Sequence, residues 1–390
     1  MGEAFIVGAV RTAAGRRRGR LSGMHPIDLG GAILDELLAR TGADPELIED
    51  VIFGCVNQVG SQGTNIARNA VLSSKLPESV PATTVDRQCG SSQQALHFAA
   101  QAVMSGVHDI VIAGGVEVMS LVPIGANAIA GHKQGYGAPY GKGMKQRYPG
   151  VKWSQFDGAE MLARNHGLER PELDAFGLAS HQKAAAATRE GRFKREIMPL
   201  EVTVEDSHTE TFSEDEGIRY DANLEGMQAL KPLSEVGLLT AGTSSQISDG
   251  AAAVLVANRE GLDRLGARAR ARIKCMTLAG DDPVVMLGAP IPATQKLLAK
   301  SGVSLRDIDL YEVNEAFASV PLAWAKALEA DRERLNVNGG AIALGHPLGC
   351  TGVKLMTTLL HELERRDAKL GLQTMCEGGG LANATLIERM

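Results

Sequence analysis

Apolar runs alternate with segments of helical period along most of the chain, and this alternation predicts the fold class before any single residue does. Val51-Ile52-Phe53 and Ile110-Val111-Ile112-Ala113 are short continuous apolar runs, closed by Gly54 and by Gly114-Gly115. That is the pattern of strands buried on both faces. Around them, Leu29–Leu38 and Gln93–Met104 carry apolar residues at helical spacing. Strands and helices taken in turn predict an α/β layered sheet.

The pattern also echoes itself. Ile48/Leu305, Asp50/Asp307, Val51/Ile308, Phe53/Leu310, Val56/Val313 and Asn57/Asn314 match at a constant separation of 257 residues (57 to 314), which also links Cys89 to His346. Each of those two precedes a helix-like segment, Gln93–Met104 or Gly352–Arg365, and each copy ends in a strand followed by glycines. The reading is a duplicated α/β unit. Its first half is 1–118, completed by 246–270, and its second half is 271–390. Between them, 119–245 changes character: Gly125–Gly150 is glycine-rich and Glu201–Glu216 is acidic and polar. Long irregular stretches of this kind serve as lids or inserted subdomains, so 119–245 is expected to cover the active face.

Composition narrows the function classes. A chain of 390 residues exceeds one ordinary core, and 44% hydrophobic with 22% charged residues is a globular balance. A net charge of −6 gives no basic field for nucleic acid. No run of roughly 20 apolar residues is present to span a membrane. Cys55, Cys89, Cys275, Cys350 and Cys376 are odd in number and scattered, with no CxxC pair. That argues against a disulfide framework or a bound metal, and for reduced thiols in the cytoplasm. The chain enters a strand-like Ala4–Val10 with no leader expected before it, and Arg16-Arg17-Arg18 is not followed by a hydrophobic run.

Four stretches carry chemistry. In Val85-Asp86-Arg87-Gln88-Cys89-Gly90-Ser91-Ser92 a strand-like segment ends and a helix begins just after the cysteine. The helix's positive end is expected to favour thiolate there; a buried structural cysteine is the alternative. In Gly345-His346-Pro347-Leu348-Gly349 a glycine- and proline-rich turn holds a histidine, suited to presenting an imidazole to a thiol or ligand. A satisfied structural histidine is its alternative. Cys376 leaves a strand into Gly378-Gly379-Gly380, whose backbone N–H groups suit an oxyanion. A phosphate loop is disfavoured because no Lys follows and Asn383–Ile387 reads as a strand. Asn314, in Val313-Asn314-Glu315-Ala316-Phe317, ends a strand either as a hydrogen-bond donor or as a simple turn residue.

In this order, together with Gly114–Ser120 and Thr240–Ala253, the four stretches resemble the thiolase family over essentially the full length. The resemblance implies a duplicated α-β-α-β-α five-layer core with an inserted loop domain. It implies Cys89 as nucleophile, His346 as the base that takes its proton, and Cys376 as the acid or base acting at C2 of the acetyl group. Asn314 would hold a water that forms one oxyanion hole with His346. The backbone N–H groups of Cys89 and Gly378 would form the other. Ser245 and Ala241 match positions along the pantetheine arm, Phe317 lies beside them, and Arg219 matches a position near the adenine end; a solvated surface arginine is the equal alternative for Arg219. Coenzyme A is implied as co-substrate, with no permanently bound cofactor, and acyl-CoA as the partner molecule. A homodimer or a homotetramer built from dimers is also implied. Short-chain acetoacetyl-CoA thiolases carry a His-Met-Gly element where this chain has Trp153–Glu160. That departure, with the sequences around Cys89 and Cys376, points toward degradative thiolases of fatty acid or steroid catabolism over a biosynthetic acetoacetyl-CoA enzyme. A decarboxylating ketoacyl synthase is disfavoured by the second thiol, and a non-catalytic lipid-binding relative by the presence of all four residues.

Overall fold

A computed structural model describes residues 2–203, 208–235 and 237–390. The strands of the first half are β1 (Phe5–Thr12), β2 (Gly15–Arg16), β3 (Asp50–Gly54), β4 (Ala82–Val85) and β5 (Ile110–Val118). They alternate with α1 (Pro26–Thr41), α2 (Ile66–Leu72) and α3 (Ser91–Ser105). After the inserted region come β9 (Ser248–Ala257), α9 (Arg259–Leu265), β10 (Ala271–Gly280), α10 (Pro290–Ser301), β11 (Leu310–Val313), α11 (Ser319–Leu328) and α12 (Ala341–Leu344). The chain closes with α13 (Thr351–Arg365), β12 (Leu370–Glu377) and β13 (Leu381–Arg389).

Period-2 alternation explains why these strands read as unbroken apolar runs. Ile110, Ile112 and Val116 of β5 face one core with Ala251, Ala253 and Leu255 of β9. Val111 and Ala113 face the opposite core with Ala252, Val254 and Val256. Both faces are covered, so neither can be polar. Each fully buried Val, Leu or Ile contributes about 1.5–3 kcal/mol. Three principal apolar cores result. One lies under α1 and α2, one between the halves around α3 and α13, and one under α10 and α11. This is the five-layer arrangement. The strands form one continuous hydrogen-bonded ribbon in the order β11-β12-β13-β10-β1-β9-β5-β3-β4, because β1 pairs briefly with β10 at Phe5↔Arg272 and Ile6↔Ala271.

The duplication is present, but its register corrects the sequence reading. The short turns Pro45–Leu47 and Leu305–Asp307, the helix starts Ser91 and Thr351, and the pairs Asp50↔Val111 and Leu310↔Gly371 all correspond at 260 residues, not 257 (45 to 305, 91 to 351, 111 to 371). The counterpart of Cys89 is therefore Gly349, and His346 lies three residues upstream of it. Apolar strand positions match at several separations, so the sequence match alone could not fix the register.

The inserted region is more helical than its composition suggests. It holds α4 (Ala126–Lys133), α5 (Lys142–Arg147), α6 (Gln155–Asn165), the long α7 (Arg170–Arg189) and α8 (Leu224–Gln228). β6 (Ile197–Met198) joins β1, and β7 (Leu200–Thr203) pairs with β8 (Thr209–Phe212) in the acidic stretch, of which 204–207 lie outside the described residues. A buried ion cluster ties this region to the core: Arg11 on β1 meets Glu196 at 2.6 Å and Asp215 at 2.8 Å. Among the described residues no helix is long and apolar enough to cross a membrane.

Candidate active site

The two central helices begin side by side. Val353 N donates to Ser92 Oγ at 3.0 Å, and a Cβ on Gly352 would lie 2.3 Å from Gln93 N, so only glycine permits the approach. Neither α3 nor α13 has a side-chain cap at its N-terminus. The loops that enter them carry Cys89 and His346.

The Cys89 loop is a tight strand-to-helix turn. Gln88 sits in the left-handed region at φ 49°, where a non-glycine residue is strained. Ser91 Oγ donates to Gln88 O at 2.6 Å and accepts from Arg87 N at 2.9 Å, holding the turn. The thiol is buried with Val56, Met119, Leu348 and Met375. Its surroundings overturn the expectation of a depressed thiol pKa. Burial, with the Glu377 carboxyl as the next cause, pushes Cys89 up to about 12. Desolvation outweighs the helix end. The N–H groups of Cys89 itself and of Gly378 act in the opposite sense, as donors to the sulfur.

His346 is held as a neutral imidazole, pushed down to about 3 by burial and by the Lys354 ammonium. Thr351 Oγ1 donates to Pro347 O at 2.7 Å, so its hydroxyl accepts from His346 Nδ1–H at 2.6 Å. That assignment leaves Nε2 without a proton. Asn314 Nδ2 faces it at 3.3 Å. Lys354 Nζ donates to Leu344 O at 2.5 Å and Gly345 O at 3.0 Å, pinning the loop from beneath. Asn314 is placed by the parallel pairing of β11 with β12, where its N–H donates to Thr374 O at 3.1 Å.

Cys376 lies two residues along β12 from Thr374. Burial pushes its thiol well above the ordinary range, and negative charge on Cys89 adds to this, so the two sulfurs share one space. The chain then turns through Gly379 (φ 86°) and Gly380 (φ 77°). A Cβ on Gly380 would press within 2.8 Å of Asp281 O, so the turn demands glycine. A cleft of about 800 Å³ opens here, lined by Met144, Arg147, Tyr148, Asp281, Gly379 and Gly380.

The structure thus groups Cys89 with Gly378 and Cys376, and His346 with Asn314. Leu348, packed against Cys89, and the paired helix starts connect the two groups. The other expected positions lie outward from them. Ser245 N donates to Ala316 O at 2.9 Å, and Ser244 bridges to Phe317, whose ring meets Phe156 edge-on at 5.5 Å. Ala241 is exposed in a short turn, and Arg219 is exposed with its N–H donated to His181 Nδ1 at 3.2 Å. Three residues of the site went unread in the sequence: Thr351, Lys354 and Glu377. Thr351 stands in the same glycine-rich motif as His346, which is the one signal available for it. Lys354 reaches back one helix turn and a loop to Leu344 and Gly345 without a motif to mark it, and Glu377 acts through a contact distant in sequence.

Comparison with known proteins follows the same architecture. A thiolase N-terminal domain model matches residues 4–260 and a thiolase C-terminal domain model matches residues 267–389. The steroid 3-ketoacyl-CoA thiolase FadA6 of Mycobacterium tuberculosis is 50% identical, over 100% of this chain and 95% of its own length. A 3-ketoacyl-CoA thiolase of Aliivibrio fischeri is 44% identical over 100% of both chains. The crystal structure of the Bacillus anthracis acetyl-CoA acetyltransferase superposes with a TM-score of 0.91 at 36% identity, over 100% of this chain and 99% of that one. Two family models that cover both halves, and relatives of matching length, make this chain a member of the thiolase family.

Proposed function

We propose that this chain is a degradative acetyl-CoA C-acyltransferase. It cleaves 3-oxoacyl-CoA with coenzyme A, releasing acetyl-CoA or propionyl-CoA and passing the shortened acyl group through a thioester on Cys89. The observation that carries the reading is the grouping of two thiols with the Gly378 N–H across the two halves, with a bare imidazole nitrogen on the loop that enters the neighbouring central helix. The names of the 44–50% identical relatives support degradation, and a biosynthetic acetoacetyl-CoA enzyme is not favoured.

With burial pushing the Cys89 thiol up to about 12 and the His346 imidazole down to about 3, the resting state of both groups is neutral. Proton transfer from Cys89 to His346 Nε2 therefore accompanies attack on the 3-oxo carbon and does not precede it. The tetrahedral oxygen falls to the Cys89 and Gly378 N–H groups. As the C2–C3 bond breaks, enolate charge develops on the CoA thioester oxygen, where His346, now carrying the proton, and a water held by Asn314 are the donors. Cys376 protonates the departing carbon, and one such oxyanion donor is worth about 3 kcal/mol in barrier. A second coenzyme A then takes the acyl group from Cys89: its thiol proton passes to the Cys376 thiolate as its sulfur attacks the thioester, and His346 returns its proton to the departing Cys89 sulfur. Coenzyme A is substrate here, with no resident cofactor, and Ser245, Ala241, Phe317 and Arg219 are the proposed contacts along its length. A cytoplasmic address and a homodimer or homotetramer belong to the same proposal. Free cysteines and the exposed apolar side chains Leu121, Ile124, Ile129 and Tyr136 support them.

Intact mass after quenching tests the reading. The enzyme is mixed with acetoacetyl-CoA, 3-oxooctanoyl-CoA, 3-oxohexadecanoyl-CoA or a steroid-side-chain 3-oxoacyl-CoA. An acyl adduct that maps to Cys89 and disappears when coenzyme A is added is the expected result. No adduct, or one that survives in Cys89→Ala, sinks the mechanism.

A further inference from the structure

Glu377 is fully buried at the end of β12, and neither carboxyl oxygen accepts a hydrogen bond among the described residues. The side chain reaches across to the other half. A Cβ built on Gly90 would fall 1.9 Å from Glu377 Oε1 and 2.7 Å from Asn383 Nδ2, so the carboxyl lies directly against the backbone of the nucleophile turn. Asn383 spends its amide on Gly90 O at 3.0 Å instead of on the acid. The charged and titratable groups that face Glu377 are Arg87 and Cys89 from the loop before α3, and Cys376 from its own strand.

We propose that Glu377 is a positioning residue for the acyl-transfer chemistry, acting through the Cys89–Gly90 turn. As the neutral acid it seats that turn. As a carboxylate it opposes negative charge on the Cys89 sulfur and on the acyl oxygen held by the Cys89 and Gly378 N–H groups. This rests on Cys89 as the nucleophile. Burial is what keeps the acid neutral, raising it to about 8, with the Arg87 guanidinium pulling the other way. Glu377 thereby sets where activity declines on the alkaline side: the two groups titrate as a pair, and the acid ionises first.

The test follows Cys89 alkylation by iodoacetamide against pH in the full-length protein, read on the Cys89 peptide by mass spectrometry. In Glu377→Gln the rate matches wild type near about pH 6 and exceeds it by about tenfold near about pH 9, the effect of removing one adjacent like charge. Arg87→Gln shifts the wild-type bend to higher pH, and it carries the test if Glu377→Gln does not fold. Superimposable profiles in either variant, even with a lower turnover, overturn the proposal and leave Glu377 a packing residue. The same samples are treated with 3-oxooctanoyl-CoA. Absence of a Cys89 adduct in wild type defeats the underlying nucleophile reading, whereas an adduct with unshifted profiles defeats only the role of Glu377.

Discussion

Glu117 and Glu377 stand at equivalent places in the two halves, near the ends of β5 and β12 and 260 residues apart (117 to 377). Both are buried, and both reach across to the loop that enters the opposite half's central helix. Glu117 accepts from Val56 N, Asn57 N, Asn57 Nδ2, Gln62 Nε2 and Gly349 N, all within 3.1 Å. Glu377 accepts from none of the described residues. The reason lies in the loop after β11. The counterparts of Val56 and Asn57 are Ala316 and Phe317, and these turn toward the inserted region, through Ser245 N to Ala316 O and the Ser244–Phe317 bridge. That diversion presents Asn314 to His346 and leaves Glu377 without donors. One half keeps its acid as a structural anchor; the other gives up those bonds beside the proposed nucleophile turn.

The strongest way to break this comparison is to exchange the cysteines that precede the two helices. Cys350 and Cys89 are both pushed up to about 12 by burial, so the thiol pKa does not tell them apart. What differs is the donor set: only Cys89 is faced by the Gly378 N–H. Cys89→Ala is expected to lower thiolysis on the order of 10⁴-fold or more, as loss of a covalent nucleophile does. Cys350→Ala is expected to cost about 1–2 kcal/mol of stability and change turnover only a few-fold. Steady-state kinetics and a denaturant titration check both, and equal losses of activity would erase the distinction.

The acids come next. Glu117→Gln places an amide against the Val56 and Gly349 N–H groups and is expected to destabilise by about 3 kcal/mol, seen as a lower denaturation midpoint. Glu377→Gln is expected to do the reverse in alkaline solution. In the unfolded chain this carboxyl ionises near its ordinary 4.5, and in the folded protein near about 8. Between those values the folded state holds the extra proton, so rising pH favours unfolding. Replacing the acid removes that loss. The variant's melting temperature should exceed wild type above about pH 8 and converge with it near about pH 5. A variant less stable than wild type across that range would mean the carboxyl is anchored as Glu117 is.

How much of this was legible in the sequence follows from the range of each signal. Strands and central helices were legible, because alternation and helical period are local and both sheet faces are covered. The candidate residues that the structure places in two groups, Cys89 with Cys376 and His346 with Asn314, were legible because glycine-rich turns flank the reactive groups or, for Asn314, because it ends a strand. The contrast between Glu117 and Glu377 was not. Each sits in an ordinary strand end, and only contacts across the halves distinguish them. The sign of the Cys89 shift was also beyond reach, since a helix start is visible in sequence and desolvation is not. The long α7 was missed because the region's glycine and acidic stretches masked its small, regularly buried positions.

Asn314 sharpens the comparison further. Its counterpart in the first half is Gly54, which has no side chain and is pressed against Ser92 N and Gly349 O. Asn314→Ala is expected to slow Claisen chemistry about 10²–10³-fold, the cost of one oxyanion donor. Acyl exchange between Cys89 and coenzyme A should suffer less, since that step develops no enolate. A uniform loss in both assays would count against this division.

The smallest effect separates two hydroxyls at one place in the duplicated fold. Ser91 and Thr351 each open a central helix, and each donates to a carbonyl in the loop before it, Gln88 O and Pro347 O. Ser91 then accepts from the Arg87 backbone, whereas Thr351 accepts from His346 Nδ1. Thr351→Val keeps the shape but removes the acceptor that fixes the imidazole's tautomer, so a fraction of His346 would carry its proton on Nε2 and fail as a base. A loss of about tenfold in kcat with little change in KM is expected, corresponding to about 1.4 kcal/mol. Thr351→Ser restores the acceptor and should restore the rate. Ser91→Ala removes a bond only within the nucleophile turn, and should lower stability by about 1 kcal/mol before it lowers kcat. If Thr351→Val instead raises KM alone, the hydroxyl serves binding, and the tautomer of His346 is set by something other than Thr351.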